Sequence, residues 1–199
     1  ALYVVLGYIP FFYMFCAYGQ YITAALIIAP VIGIILGPVG GALATAIGGI
    51  VGMMLTGNMP MGPFTFLPGT LDALCIGLTF RGKWYASAGI FAVFIIAFAA
   101  LPSIGAAKYF IWLHATALFL LLSPASTLAV KYIKGTNLQE LVLGVGVLVF
   151  IGVLVDHIVG SFIFQSLTPL PQSVWETVAF IYPIERLLVT VVASVIGAG

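Results

Sequence analysis

Apolar runs long enough for membrane helices follow one another from Leu2 to the C-terminus, and most charged residues fall in or near the breaks between them. A helix needs about 20 apolar residues to cross ~30 Å of hydrocarbon, where the backbone must satisfy its own hydrogen bonds. The pattern therefore predicts an all-α fold, a polytopic helical membrane bundle making one domain over residues 1–199, with lipid around it. Only 6% of the residues are charged, too few to dress the surface of a soluble domain. The net charge of +1 gives nucleic acid no electrostatic footing. Cys16 and Cys75 lie inside apolar runs and read as small core thiols. The opening Ala1-Leu2-Tyr3 falls mid-run, so it reads as helix and not as a cleaved signal peptide, with the natural N-terminus expected upstream.

Seven or eight segments are expected. Segment 1 covers about Leu2–Tyr18, segment 2 Tyr21–Leu36 and segment 3 Pro38–Thr56. Segments 2 and 3 meet at Gly37-Pro38, where glycine suits the end of one helix and proline the first turn of the next. As a single helix this stretch would reach ~52 Å, too long for the bilayer without strong tilt. Gly57–Gly69, with three prolines and three glycines, reads as an apolar loop. Segment 4 is Thr70–Phe80, segment 5 Trp84–Leu101, and segment 6 Lys108–Tyr132, bent near Ser123-Pro124. Segment 7 is Leu138–Phe164, opened by a capping box of Asn137 and Glu140. A second loop, Gln165–Gln172, leads to segment 8, where Ser173 and Glu176 repeat the box and Pro183 interrupts the run.

Two basic clusters, Arg81/Lys83 and Lys131/Lys134, are separated by two segments and so share a side, with Lys108 dissenting. The positive-inside rule makes that side cytoplasmic and sends the two proline loops outward. The expected location is the cell membrane, multi-pass, with the C-terminus in the cytoplasm.

Asp156 and His157 stand side by side deep in segment 7, where no capping role is open to them. Ionisable residues in hydrocarbon are costly and mark a functional site by default. Asp72, His114 and the pair Glu185-Arg186 fall at comparable depth, most of them roughly 5–12 Å from the outer boundary at 1.5 Å per residue. The cytoplasmic half has no comparable set. These residues predict an outward-opening pocket, with Phe64 and Asn58 of the first loop over it. Structural readings stand beside this: an Arg186–Asp156 ion pair, a His114 bond to a carbonyl, Asp72 and Glu176 as helix caps. His114, His157, Asp156 and Asp72 are permitted metal ligands, but no close-spaced motif joins them, so neither a metal nor another cofactor is expected.

Segment 3 carries Gly41, Thr45, Gly48 and Gly52 on one helical face, with Ala42 and Ala46 beside it. Small residues at this spacing let helix backbones approach closely in lipid. The face serves either packing within the chain or docking of a partner membrane subunit.

The stretch Leu36-Gly-Pro-Val-Gly-Gly-Ala-Leu-Ala-Thr-Ala-Ile-Gly-Gly resembles the GPxxGxxxG stretch of substrate-binding S components of energy-coupling factor (ECF) transporters. Phe64-Thr-Phe-Leu-Pro-Gly69, a short helix and Arg81-Gly-Lys83 follow in a similar order, and Tyr182-Pro-Ile-Glu-Arg186-Leu-Leu-Val-Thr190 is similar to the family's closing helix. Together the matches cover about half the chain. S components usually have six membrane helices, so the resemblance implies either an extra hairpin here or no break at Gly37-Pro38. The resemblance implies high-affinity capture of a vitamin or similar micronutrient from outside. It also implies docking, through the small-residue helices, on a transmembrane coupling subunit that sits on two ATPase subunits. No Walker motif occurs in this chain, so ATP hydrolysis would belong to those partners and the chain would not itself be an enzyme.

Two other functions are open on the residues alone. Intramembrane Asp and His can relay protons, which would suit a self-sufficient channel or proton-coupled carrier. Asp156, His157, His114 and Glu185 could do acid–base chemistry in an intramembrane enzyme, although no GxSxG or HExxH motif is present.

Overall fold

Glycine at position 37 lets the longest apolar stretch fold back on itself. The computed structural model describes residues 1–14 and 20–198. In it, helix α2 (Ala25–Thr56) is broken at Gly37, whose φ of 75° and ψ of −178° are open to glycine and to almost nothing else. An unbroken helix would hold Gly33 and Gly41 ~12 Å apart, yet a Cβ on Gly41 would lie 2.9 Å from the Gly33 Cα. At the far ends, Asn58 bonds both the N–H and the C=O of Tyr21. The element is thus a helical hairpin, with the turn where Gly37-Pro38 predicts it. Alanine at position 37 is expected to cost about 1–3 kcal/mol through backbone strain alone, measured as reduced resistance to unfolding in detergent; an unchanged midpoint would show that the turn does not need this conformation.

The hairpin clasps helix α3 (Leu67–Phe80) at backbone distance. A Cβ on Gly33 would strike the Ala73 carbonyl, and one on Gly77 would lie 2.6 Å from Pro38 N and Cα. Helix α1 (Leu2–Gly7) lies across the other arm, with Tyr3 on Gly48 and Gly7 near Gly52. The small-residue face is therefore used inside the chain: Gly41, Thr45, Gly48 and Gly52 are buried, and Thr45 Oγ1 donates to the Gly41 carbonyl. Ala42 and Ala46, on its margin, are half-buried. This corrects their assignment as a docking face, because the positions that would admit a partner already admit Gly33, Tyr3 and α1. The side of the arm that does face outward carries Val39, Leu43, Ile47 and Met54, as contact with lipid requires.

The rest of the bundle follows the apolar pattern closely. Helix α4 (Trp84–Ala99) is followed by a 3-10 stretch (Pro102–Ile111), then α5 (Trp112–Leu122) and α6 (Pro124–Ile133), which meet at 69° across Ser123. Helix α7 (Leu138–Leu167) starts where Asn137 Oδ1 accepts from the N–H groups of Gln139 and Glu140. It runs through the middle of the core, with most of its residues from Gly144 to Val159 buried. Helix α8 (Gln172–Ala198) closes the bundle. Among the described residues, four helical stretches are long and apolar enough to cross a membrane, or five if the bent α5–α6 pair is one span. The chain is nearly all-α. Lys134 Nζ lies 5.3 Å over the Phe80 ring and Arg81 reaches Gly37, so both basic clusters and the α2 turn share one end of the bundle.

Several boundaries differ from expectation. Segment 1 is not a helix to Tyr18: α1 stops at Gly7, and β1 (Pro10–Tyr13) pairs with β2 (Tyr21–Thr23) as an antiparallel hairpin with an irregularity between Pro10 and Phe12. Pro10 disfavours a continuing helix, and the aromatic and β-branched residues around it suit a strand. Cys16 lies outside the described residues, while Cys75 is buried as a free thiol. The first proline loop is shorter than Gly57–Gly69 because Pro68 sits in the first turn of α3, the position proline tolerates. Likewise α7 continues past Gln165 to Leu167, and α8 runs unbroken through Pro183. Glu176 accepts from the Gln172 side chain one turn earlier rather than closing a box with Ser173.

Candidate binding site

A cavity of about 210 Å³ lies between α7 and α8, under the β-hairpin and the chain from Asn58 to Gly69. Helix α7 contributes Asp156, His157 and Gly160, and α8 contributes Trp175, Tyr182, Glu185 and Arg186. The α8 residues reach it because Trp175, Ala179, Tyr182, Arg186 and Val189 recur at helical spacing and form the helix's buried stripe. Asp156 is 11 residues from the C-terminal end of α7, and Arg186 is 14 from the start of α8. At 1.5 Å per residue those depths are ~16 and ~21 Å from the helix ends, so the cavity floor lies well inside both helices. It is deeper than expected because α7 is longer and α8 begins earlier.

Of the sequence-predicted residues, Asp156, His157, Glu185, Arg186 and Asn58 line this cavity together. Asn58 also fastens its roof: its amide donates to the Tyr21 carbonyl at 2.8 Å and accepts from the Tyr21 N–H at 3.3 Å. Three others do not line it. Phe64 is 45% exposed in a short 3-10 turn (Gly62–Phe64) and points away; Met61 and Thr65 of the same loop take its place. His114 is fully buried behind His157, with its Nε2 3.1 Å from His157 Nδ1. The pair is a donor–acceptor contact, so it holds the His157 ring and leaves Nε2 as the nitrogen open to an occupant. Asp72 is also fully buried, below the cavity floor. A Cβ on Gly152, one turn from Asp156 on α7, would strike Asp72 Oδ1, Ile76 Cγ1 and Pro30 Cβ. As the sixth residue of α3, Asp72 is past the capping position, and neither of its oxygens has a hydrogen-bond partner among the described residues.

Aromatic rings brace the polar group. His157, His114 and Tyr182 pack as a triangle of rings, with centroids 5.2 Å (His114–His157), 4.6 Å (His157–Tyr182) and 5.4 Å (His114–Tyr182) apart. Tyr182 OH donates to the Phe110 carbonyl at 2.7 Å, and the Phe110 ring touches both histidines and Tyr182. At the C-terminal end of α7 Gln165 satisfies all its amide valences, accepting from Trp175 Nε1 and the Leu170 N–H and donating to Ser103 Oγ and the Leu170 carbonyl. This hub fixes the turn from α7 to α8 and, through it, the register of Arg186.

Arg186, like Asp72 and His114 Nδ1, has hydrogen-bonding atoms left unmet among the described residues. It is 3% exposed, and among the described residues its Nε and Nη1 have no hydrogen-bond partner. Asp156 and Glu185 are close enough to act on it electrostatically without accepting from those atoms. The expected Arg186–Asp156 pair is thus a neighbourhood of opposite charge, not a closed salt bridge. Among the described residues no group of three or more His, Cys, Asp or Glu side chains is arranged to hold a metal ion.

No protein-family model matches the chain, and no solved structure does. The chain is similar to the uncharacterized protein MJ0923 of Methanocaldococcus jannaschii, 29% identical over 134 residues. The match covers 67% of this chain and 44% of that protein. The chain therefore spans less than half the length of this curated relative, which brings no activity with it.

Tyr3, Trp175 and Tyr182 are cavity residues that the charge-based reading passed over. Two of them were legible: Trp175 and Tyr182 precede Arg186 by 11 and 4 residues, which puts them on its face. Tyr3 was not, because nothing in the sequence tells that α1 folds against Gly48 and Gly69.

Proposed function

We propose that this chain is a membrane-embedded solute-binding subunit that captures a small molecule of the vitamin or micronutrient class from the outer side of the cell membrane. In this reading it hands the solute to a separate transmembrane coupling subunit powered by two ATPases, as an ECF S component does. The observation that carries the reading is the convergence of Asp156, His157, Glu185 and Arg186 on one cavity under a folded roof. At about 210 Å³ the cavity is smaller than the ~300–1,000 Å³ of drug-sized ligand sites, which favours a compact solute. The basic residues gathered at the opposite end support a cytoplasmic α2 turn and C-terminus. A coupling subunit would meet a face other than the Gly41–Gly52 stripe.

Equilibrium binding of candidate vitamins to the detergent-purified chain tests this. Asp156→Ala is expected to weaken binding at least tenfold, about 1.4 kcal/mol or more. Unchanged affinity would remove the site, and absence of any coupling subunit or ATPase in membrane pull-downs would remove the importer role.

The buried Asp72 favours a second reading, a proton-coupled carrier. A carboxyl with neither oxygen hydrogen-bonded in a setting of Pro30, Ile76 and Gly152 cannot hold a charge cheaply, so it would move between protonated and transiently wet states. Solute flux into liposomes containing this chain alone, lost in Asp72→Asn, would favour the carrier; binding without flux would favour the subunit.

A further inference from the structure

Arg186 brings a guanidinium into the cavity with part of its hydrogen-bonding edge unused. Its side chain is 3% exposed, and Nε and Nη1 find no acceptor among the described residues. A buried cation with unmet donors is one of the costlier states a side chain can hold. Those two atoms are closed off from the cavity as well as unpartnered, so the cation is under-compensated where it stands, and an oxyanion against the part of the guanidinium that lines the cavity would supply the missing negative charge. A guanidinium is planar and fits the oxygens of a carboxylate or phosphate in its plane. Around it the walls are flat and aromatic: Trp175, Tyr182 and His157 all line the space. On the same walls sit two acids, Asp156 and Glu185, against the one arginine. An oxyanion alone would leave that excess of negative charge unanswered, whereas a ligand that also carries a positive or N–H-donating group would meet both signs.

Taking the solute-binding reading as its base, we infer that the ligand is a small ring-bearing oxyanion with a second, cationic or N–H-donating group. Its carboxylate or phosphate oxygens accept from the part of the Arg186 guanidinium that lines the cavity. Its ring lies against Tyr182 and Trp175. Its donor group faces Asp156, with Glu185 adding to the local field. The pocket thereby selects amphoteric molecules over neutral rings of the same size.

Four probes separate these elements: benzamide, benzoate, benzylamine and 4-(aminomethyl)benzoate, titrated into the detergent-purified chain and followed by Trp175 emission, with phosphate-bearing phenyl phosphate as a further arm. The expected order is 4-(aminomethyl)benzoate tightest, then benzoate, with benzoate at least tenfold tighter than benzamide. Arg186→Gln is expected to erase the gap between benzoate and benzamide while leaving benzamide unchanged. Arg186→Lys, which keeps the charge without the planar guanidinium, should retain a preference of a few-fold, and Asp156→Asn should erase the advantage of the zwitterion over benzoate. Tighter binding of phenyl phosphate than of benzoate would identify the oxyanion as a phosphate, and the reverse a carboxylate. Equal binding of benzamide and benzoate by the unmodified chain would overturn the inference and leave the cavity as a solute site; that comparison needs no variant to fold. Failure of every probe to bind would overturn the solute-binding reading and this inference together.

Discussion

Gly33→Ala and Gly77→Ala are each expected to destabilise the chain by about 3 kcal/mol, at the upper end of what added core volume costs. Both glycines sit where α3 enters the α2 hairpin. A Cβ on Gly33 would run into the Ala73 carbonyl and lie 3.1 Å from the Ala73 Cα; one on Gly77 would lie 2.6 Å from Pro38 N and 2.7 Å from the Gly37 carbonyl carbon. Every one of these atoms is backbone, so no rotamer change relieves the overlap and the helices have to separate. Separation has a second cost, because apolar helices in lipid are held by close packing and not by a difference in solvation. Gly89, on the exposed side of α4 with nothing within 4 Å of its Cβ position, is the control. There alanine is expected to be neutral or to stabilise by up to about 1 kcal/mol through helix propensity. Unfolding in mixed micelles measures all three. Equal behaviour at positions 33, 77 and 89 would contradict the backbone contact. Because the hairpin also supplies Asn58 to the cavity roof, the two clashing variants should lose ligand binding together with stability.

That contact shows what apolar patterning can and cannot convey. The break at Gly37-Pro38 is readable because glycine and proline each permit a conformation that other residues resist. The Gly41–Gly52 stripe is readable as a close-packing face, since nothing else explains small residues at helical spacing in a lipid setting. Its occupant is not readable: spacing specifies a groove, and only the fold shows that Gly33, Tyr3 and α1 fill it. The first 24 residues fail for a different reason. An apolar run interrupted by Pro10 is compatible with a strand or a helix, and hydropathy alone does not separate them over so few residues.

The candidate site divides along the same line. Asp156 and His157 are legible because hydrocarbon gives such a pair no ordinary use. Arg186 follows from the periodicity of α8 once the helix is allowed to run through Pro183. Depth along a helix, however, is a coarse coordinate. It ranks His114 and Asp72 with Asp156, while the direction in which each side chain points puts one behind His157 and the other under the floor. The roof from β1, β2 and residues 58–69 is equally hidden, since it depends on the Asn58–Tyr21 bonds between positions 37 residues apart.

Arg186→Met is expected to move stability and binding in opposite directions. Methionine has nearly the reach of arginine and no donors to leave unmet, and it extends the apolar stripe of Tyr182 and Val189 on α8. Removing a buried charge whose hydrogen-bonding atoms are unmet lifts its desolvation cost, so the ligand-free chain should melt at the same temperature or higher. Affinity for the captured solute should fall about 100-fold, since truncating one side of a buried charged contact costs about 2–5 kcal/mol. A purely structural Arg186–Asp156 pair predicts the reverse: breaking it would strand Asp156 and cost about 3–5 kcal/mol of stability. Melting curves of the unliganded protein beside binding isotherms separate the two. A lower melting temperature with unchanged affinity would make Arg186 a strut of the bundle. A raised one with lost affinity would mean that the fold keeps this cation at a cost in stability because a ligand completes it.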